Sequence, residues 1–83
     1  MAATRVDIDR WFEAGKKQKA THLIVVVDDF DHDDYPAYVA GGQDVREVAK
    51  KYDGTNMQRI MEVYSLKRDK HSQLAEFRAF HYD

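Results

Sequence analysis

The sequence predicts one small α+β domain, with a three-stranded antiparallel sheet and helices in the order α-β-β-α-β-α. The chain has 83 residues, which is too few for two cores of independent stability. One uninterrupted apolar run, Leu23–Val27, has the length and the β-branched residues of a buried strand. Segments with helical spacing of apolar residues, two of them preceded by capping motifs, lie on both sides of that run.

The first helix is predicted to begin at Thr4, because Thr4-x-x-Asp7 resembles a capping box. Three apolar residues then share one helix face: Ile8, Trp11 and Phe12. Gly15 fits two interpretations. Either it ends the helix as a C-cap, or the helix continues through it to about Lys19.

The segment Thr21–Asp28 is predicted to be the central strand. One side of this strand carries Leu23, Val25 and Val27, and the other carries Ile24 and Val26. Apolar residues on both sides indicate a strand that is covered on both faces. Helices split between the two faces would provide that cover, and so would dimerisation.

A second strand is predicted over Tyr35–Ala40. Pro36 has no N–H to donate to a neighbouring strand, which places this segment at the edge of the sheet. Gly41-Gly42 ends the strand, and Asp44-x-x-Glu47 is a capping box for a second helix that closes at Asp53-Gly54.

The segment Met57–Leu66 fits both a helix and a strand. We interpret it as the third strand, because a sheet of two strands alone is marginal and the central strand needs a second neighbour. A last helix is expected from about Asp69. Its apolar face would carry Leu74, Phe77 and Phe80.

Composition narrows the possible functions. The absence of cysteine excludes disulfides, thiolate zinc sites and cysteine nucleophiles. The N-terminus lacks the apolar stretch of a signal peptide, and the longest apolar run is far too short for a membrane span. A net charge of −2 gives no general attraction to nucleic acid. The sequence therefore predicts a cytoplasmic protein with a single domain over residues 1–83, with no cofactor, no membrane contact and no nucleic-acid partner.

The segment Asp28–Asp34 concentrates charge, since five of the 15 acidic residues lie in it. It follows the central strand directly and contains aromatic residues that could anchor a partner. We therefore predict a non-enzymatic interaction module, a homodimer that docks a partner protein through this loop. The expected docking residues are Asp29, Phe30, Asp31, His32, Asp33, Asp34 and Tyr35.

A divalent-metal hydrolase is one alternative for the same loop. Asp29, Asp31 and Asp33 match the first three ligand positions of an EF-hand loop. The match ends there, because Asp34 replaces the required glycine and Ala40 replaces the final glutamate. The pattern favours a solvated loop over a metal site.

The other alternative is a site for a small anionic ligand, such as a nucleotide, at a subunit interface. Arg59, Lys67 and Arg68 would supply its positive charge. The four histidines, in contrast, are scattered and no two stand at i, i+4, and neither serine of the C-terminal half lies in a nucleophile motif.

Two segments carry a resemblance to known proteins. Met61–Leu66 and Gln73–Phe80 resemble small uncharacterised proteins of bacteria and their mobile elements. This resemblance covers less than half of the chain and implies no activity.

Overall fold

The computed structural model describes residues 4–30, 33–54, 57–76 and 78–82. It contains three helices and a three-stranded antiparallel sheet with strand order β2-β1-β3. The elements are α1 (Arg5–Lys17), β1 (His22–Asp28), β2 (Asp33–Val39), α2 (Val45–Tyr52), β3 (Gln58–Ser65) and α3 (Lys70–Leu74). The predicted fold class and element order are confirmed, including a strand rather than a helix at β3.

The central strand separates two apolar clusters, as its two-sided pattern predicts. Leu23 and Val25 pack with α1, whereas Ile24 and Val26 pack with α2. All four side chains are fully buried. The helices are thus split between the two faces, so the described residues cover β1 without a second copy of the chain.

Helix α1 runs through Gly15, which excludes the C-cap interpretation of that residue. Thr4 and Asp7 form the predicted capping box, and Gln18 is the C-cap. A Cβ atom at Gly15 would lie 2.8 Å from Cδ1 of Leu66 and 3.0 Å from the Tyr38 ring. Glycine therefore allows the end of α1 to lie directly on the sheet.

Strand β2 begins at Asp33, two residues before the predicted start, and forms one edge of the sheet. Its registry pairs Asp28 with Asp33 and Val26 with Tyr35. Odd-numbered residues just before and just after β1 bond toward β3, as Leu66 N to Thr21 O at 3.0 Å and Asp29 N to Met57 O at 2.8 Å show. Val25 shares that orientation, so Pro36, its partner in β2, points its backbone away from β1, where a missing N–H costs no ladder bond.

The last helix is shorter than predicted. Helix α3 ends at Leu74, and Phe80 is 43% exposed instead of lying on an apolar helix face. Phe80 belongs to an extended segment that bridges Val63 in parallel orientation. Backbone pairing with β3 thus replaces the further helical turns that the apolar spacing predicted. The predicted apolar residue Phe77 lies outside the described residues.

The outer edge of β3 is closed by this segment and by a side chain. Val63 N donates to Ala79 O at 2.8 Å, and His81 N donates to Val63 O at 2.9 Å. Ser65 is the next residue of β3 whose backbone faces this edge, and its backbone bonds to the buried side-chain amide of Gln73 instead of to a strand. Its Oε1 accepts from Ser65 N at 2.8 Å while its Nε2 donates to Ser65 O at 2.9 Å.

A buried glutamate fixes the same C-terminal segment. The registry shift after Val25 leaves Met61 as an extra residue of β3, a bulge of the kind that re-aims neighbouring side chains. The carboxylate of Glu62 accepts from Ala79 N at 3.1 Å and lies 3.4 Å from the guanidinium of Arg5. Burial, followed by the bond to Glu62, raises the pKa of Tyr64 above the ordinary tyrosine value.

Candidate functional site at the acidic end of the sheet

The fold collects carboxylates at one end of the sheet. Asp28 is the last residue of β1 and Asp33 the first of β2, and the two are paired in the sheet. Val27 pairs with Asp34 and, on its other side, with Arg59 of β3. The charge that is concentrated in sequence therefore stays concentrated in space, on the ends of strands whose middles are buried.

A local turn presents Phe30 to solvent at this end. The Oδ1 atom of Asp28 accepts a hydrogen bond from Phe30 N at 2.9 Å, an Asx-type turn that reverses the chain just after β1. The Phe30 side chain is 71% exposed, more than the other large apolar side chains that the structure shows as exposed. A phenyl ring in this position is available to a partner.

Met57 joins Phe30 at the acidic end. Asp29 N donates to Met57 O at 2.8 Å, which holds the turn before β3 against the end of β1. The Met57 side chain is 60% exposed, and its backbone has a φ of 61°, in the left-handed region that methionine seldom adopts. The sequence predicted Met57 as the first residue of the third strand, which instead begins at Gln58, and no pattern in the sequence marks its side chain as exposed.

A packed platform lies behind these exposed groups. The Tyr35 and Tyr52 rings meet edge to face with centroids 6.4 Å apart. Gln58 Nε2 donates to the Tyr35 hydroxyl at 2.6 Å. Burial raises the pKa of Tyr35, and the nearby Tyr52 and Asp28 raise it further. Tyr35 is half-buried and packs against Tyr52 and Gln58, whereas the Phe30 and Met57 side chains are exposed.

We call this region the acidic surface, and its described members are Asp28, Asp29, Phe30, Asp33, Asp34 and Met57. Two predicted docking residues, Asp31 and His32, lie outside the described residues. The described parts of the chain contain no group of three or more His, Asp or Glu side chains able to hold a metal ion. The metal hypothesis needs Asp31, so it stays a hypothesis.

The three cations of the predicted anion site do not meet. Arg59 lies at the acidic end, where its Nε atom is 3.2 Å from Oδ1 of Asp29. Lys67 and Arg68 follow the other end of β3. About 20 Å of strand separates the two positions, at about 3.3 Å per residue. A single site that uses all three residues within one chain is therefore not formed.

Arg68 instead lines a surface cavity of about 270 Å³ beside α3. The cavity is lined by Arg68, Asp69, Ser72, Gln73, Glu76 and His81. His81 Nε2 lies 2.5 Å from Oε2 of Glu76, while Ser72 Oγ donates to the helix-capping Asp69 at 2.8 Å. Asp69 and Glu76 offset the positive charge of Arg68 here, and the Ser72 hydroxyl donates to the helix-capping Asp69, so the cavity favours neither an anion nor nucleophilic chemistry.

Comparisons with protein-family models, with curated proteins and with solved structures found no match to this chain. Among the residues that the structure describes, no helix combines the length and the apolar character needed to cross a bilayer. The site is therefore interpreted from its own geometry.

Proposed function

We propose that this protein is an interaction module that docks a protein partner through the acidic surface. The observation that carries the proposal is that two exposed apolar side chains, Phe30 and Met57, lie at the same end of the sheet as four aspartates, with Asp29 N bonded to Met57 O. Aromatic residues and methionine are enriched at protein interfaces, where they act as anchors inside a polar rim.

The apolar pair would supply most of the affinity. Burying a phenylalanine or methionine side chain stabilises a complex by about 1.5–3 kcal/mol each. The charged rim would act differently, because exposed charges contribute more to the rate and specificity of association than to affinity. A partner that presents lysine or arginine around an apolar pocket fits both requirements.

The experiment compares capture of a partner by the wild-type chain and by two variants. Phe30→Ala combined with Met57→Ala removes the anchors. Asp31→Asn, Asp33→Asn and Asp34→Asn together remove the rim charge. We expect the first variant to lose the partner, and the second to bind it more slowly and with less dependence on salt.

Val6→Ala is the matched control, since Val6 is 66% exposed on α1, away from the acidic surface. A captured protein counts only if the purified partner binds directly in calorimetry and the anchor variant weakens that binding by tenfold or more. Equal binding of the partner to wild type, anchor variant and control would contradict the proposal.

A further inference from the structure

The two methionines in the described part of the chain differ in their surroundings. Met57 lies in the turn before β3, and 60% of its side chain is exposed. Met61 is the extra residue of β3, and its side chain is half-buried against the apolar cluster on the α1 side of the sheet. Oxidation of a methionine depends on how well an oxidant reaches its sulfur. The sulfur of Met57 is therefore the more reactive of the two.

The backbone at Met57 is held independently of its side chain. Met57 O accepts a hydrogen bond from Asp29 N at 2.8 Å, and the φ of 61° places the residue in the left-handed region. Neither apolar cluster of the described residues includes the Met57 side chain. A chemical change at this sulfur should therefore leave the fold intact.

We propose that Met57 is a modification site, at which a peroxide oxidises the thioether to a sulfoxide and thereby weakens docking at the acidic surface. The effect on docking rests on the proposed function, in which Met57 is an apolar anchor. The assignment of the site does not, because it follows from the exposure of the side chain and from its absence from the core.

The oxidation consumes one molecule of hydrogen peroxide for each sulfur. A lone pair of the sulfur attacks one peroxide oxygen, so that an S–O bond forms while the O–O bond breaks. The departing hydroxide takes up the proton of the transferred oxygen and leaves as water. The sulfur loses two electrons, and the peroxide gains them. Enzymes that reduce methionine sulfoxide reverse the change.

A sulfoxide at Met57 turns an apolar anchor into a polar one. Its oxygen accepts hydrogen bonds from water, and burial of such a group in an apolar pocket without a donor is unfavourable. The neighbouring aspartates keep their charge, so the electrostatic attraction of a basic partner is unchanged. We therefore expect oxidation to weaken the complex about tenfold, the affinity that one buried methionine supplies. The change should appear mainly as faster dissociation.

Peptide masses identify the methionine that reacts. Trypsin cleaves after lysine and arginine, so it places Met57 on peptide 52–59, Met61 on peptide 60–67 and Met1 on peptide 1–5. After brief treatment of the folded protein with hydrogen peroxide, we expect peptide 52–59 to gain one oxygen atom several-fold faster than peptide 60–67. In protein unfolded by urea, the two peptides should react at similar rates. Circular dichroism establishes whether the oxidised protein is still folded.

Two variants connect the modification to docking. Met57→Leu has no sulfur at the site, so peroxide treatment should not change its binding of the purified partner. Met61→Leu keeps Met57, and its binding should fall on treatment as it does in the wild type. Calorimetry compares each treated sample with its own untreated control. Incubation of the treated wild type with methionine sulfoxide reductases and a thiol should restore binding.

The two proposals can fail separately. Equal oxidation of peptides 52–59 and 60–67 in the folded protein, or loss of structure once Met57 is oxidised, would overturn the modification site. Selective oxidation of Met57 that leaves binding unchanged would overturn its effect on docking and leave partner docking to its own test. A wild-type chain that captures no partner would overturn docking and its regulation together, whereas the peptide masses would still decide the site.

Discussion

The two outer edges of the sheet differ in how their backbone groups are satisfied. On β3, Val63 bonds to the C-terminal segment and Ser65 bonds to the Gln73 amide. On β2, the outer edge is flanked by aspartates and interrupted by Pro36. The backbone groups of the β3 edge are therefore hydrogen-bonded within the chain. On the β2 edge, the aspartate charges and the missing N–H of Pro36 restrict pairing with another strand.

The β3 edge stabilises the fold, whereas the β2 edge is accessible to other molecules. Closing an edge with a segment of the same chain uses up that surface, since its donors and acceptors are occupied. Charge and proline discourage unspecific strand pairing, but they leave the surface accessible. The acidic surface lies at the end of this accessible edge.

The largest expected effect concerns the closed edge. Gln73→Ala leaves the N–H of the buried Ser65 without a partner, whereas the C=O of Ser65 still accepts from Arg68 N at 3.2 Å. We expect the free energy of unfolding to fall by roughly 1–3 kcal/mol, because a buried group without a partner costs about that much. Denaturant unfolding measures this change.

Gln43→Ala is the matched control for that substitution. The Gln43 side chain also bonds to a backbone group, Ala40 N at 2.9 Å, but in an exposed turn. Water can replace the bond there, so the change should stay within about 0.5 kcal/mol. Equal losses in the two variants would show that β3 is not closed by Gln73.

A smaller effect should appear as pH falls. Asp69 caps α3, the helix that carries Gln73, and the bonds from Ser72 N and Ser72 Oγ lower the pKa of its carboxyl below 3.8. A carboxyl whose pKa is lowered in the folded state stabilises the fold fully above its unfolded pKa. That contribution is lost as pH falls through the folded pKa.

Asp69→Asn should therefore flatten the dependence of stability on pH, because asparagine still caps the helix but does not titrate there. Thermal unfolding at about pH 5 and about pH 3 measures the difference. Glu47→Gln, at an exposed glutamate on α2, controls for the loss of one charge. A slope that Asp69→Asn leaves unchanged would rule out this role for the cap.

The smallest effect should come from making the β2 edge better able to pair with another strand. Pro36→Val restores an outward N–H on β2 and should strengthen self-association about fivefold for each new hydrogen bond, at about 1 kcal/mol each. Sedimentation equilibrium measures the association constant. Glu47→Val adds the same side chain to α2 without an edge donor. The prediction fails if both variants associate equally.

Much of the fold follows from local patterns in the sequence. The two-sided run Leu23–Val27 predicted a central strand with helices on both faces, because alternate side chains of a strand must point in opposite directions. Thr4 and Asp44 predicted helix starts because their side chains cap the helices from the adjacent residues. Each of these signals depends only on neighbours in the chain.

The end of the chain was not predictable in the same way. The apolar spacing of Leu74, Phe77 and Phe80 is helical, but α3 ends at Leu74 and residues 79–81 instead pair with Val63. That pairing depends on an open strand edge formed by a distant segment. Periodicity carries no information about such an edge.

The sequence by itself determined the elements, their order and the acidic character of one loop, because these depend on side-chain types at short separations. Only the tertiary structure decided that Met57 is exposed at the same end of the sheet as Phe30, and that the buried Gln73 amide closes the edge of β3. These neighbourhoods arise from strand registry and from long-range hydrogen bonds, which bring together residues that no local pattern connects.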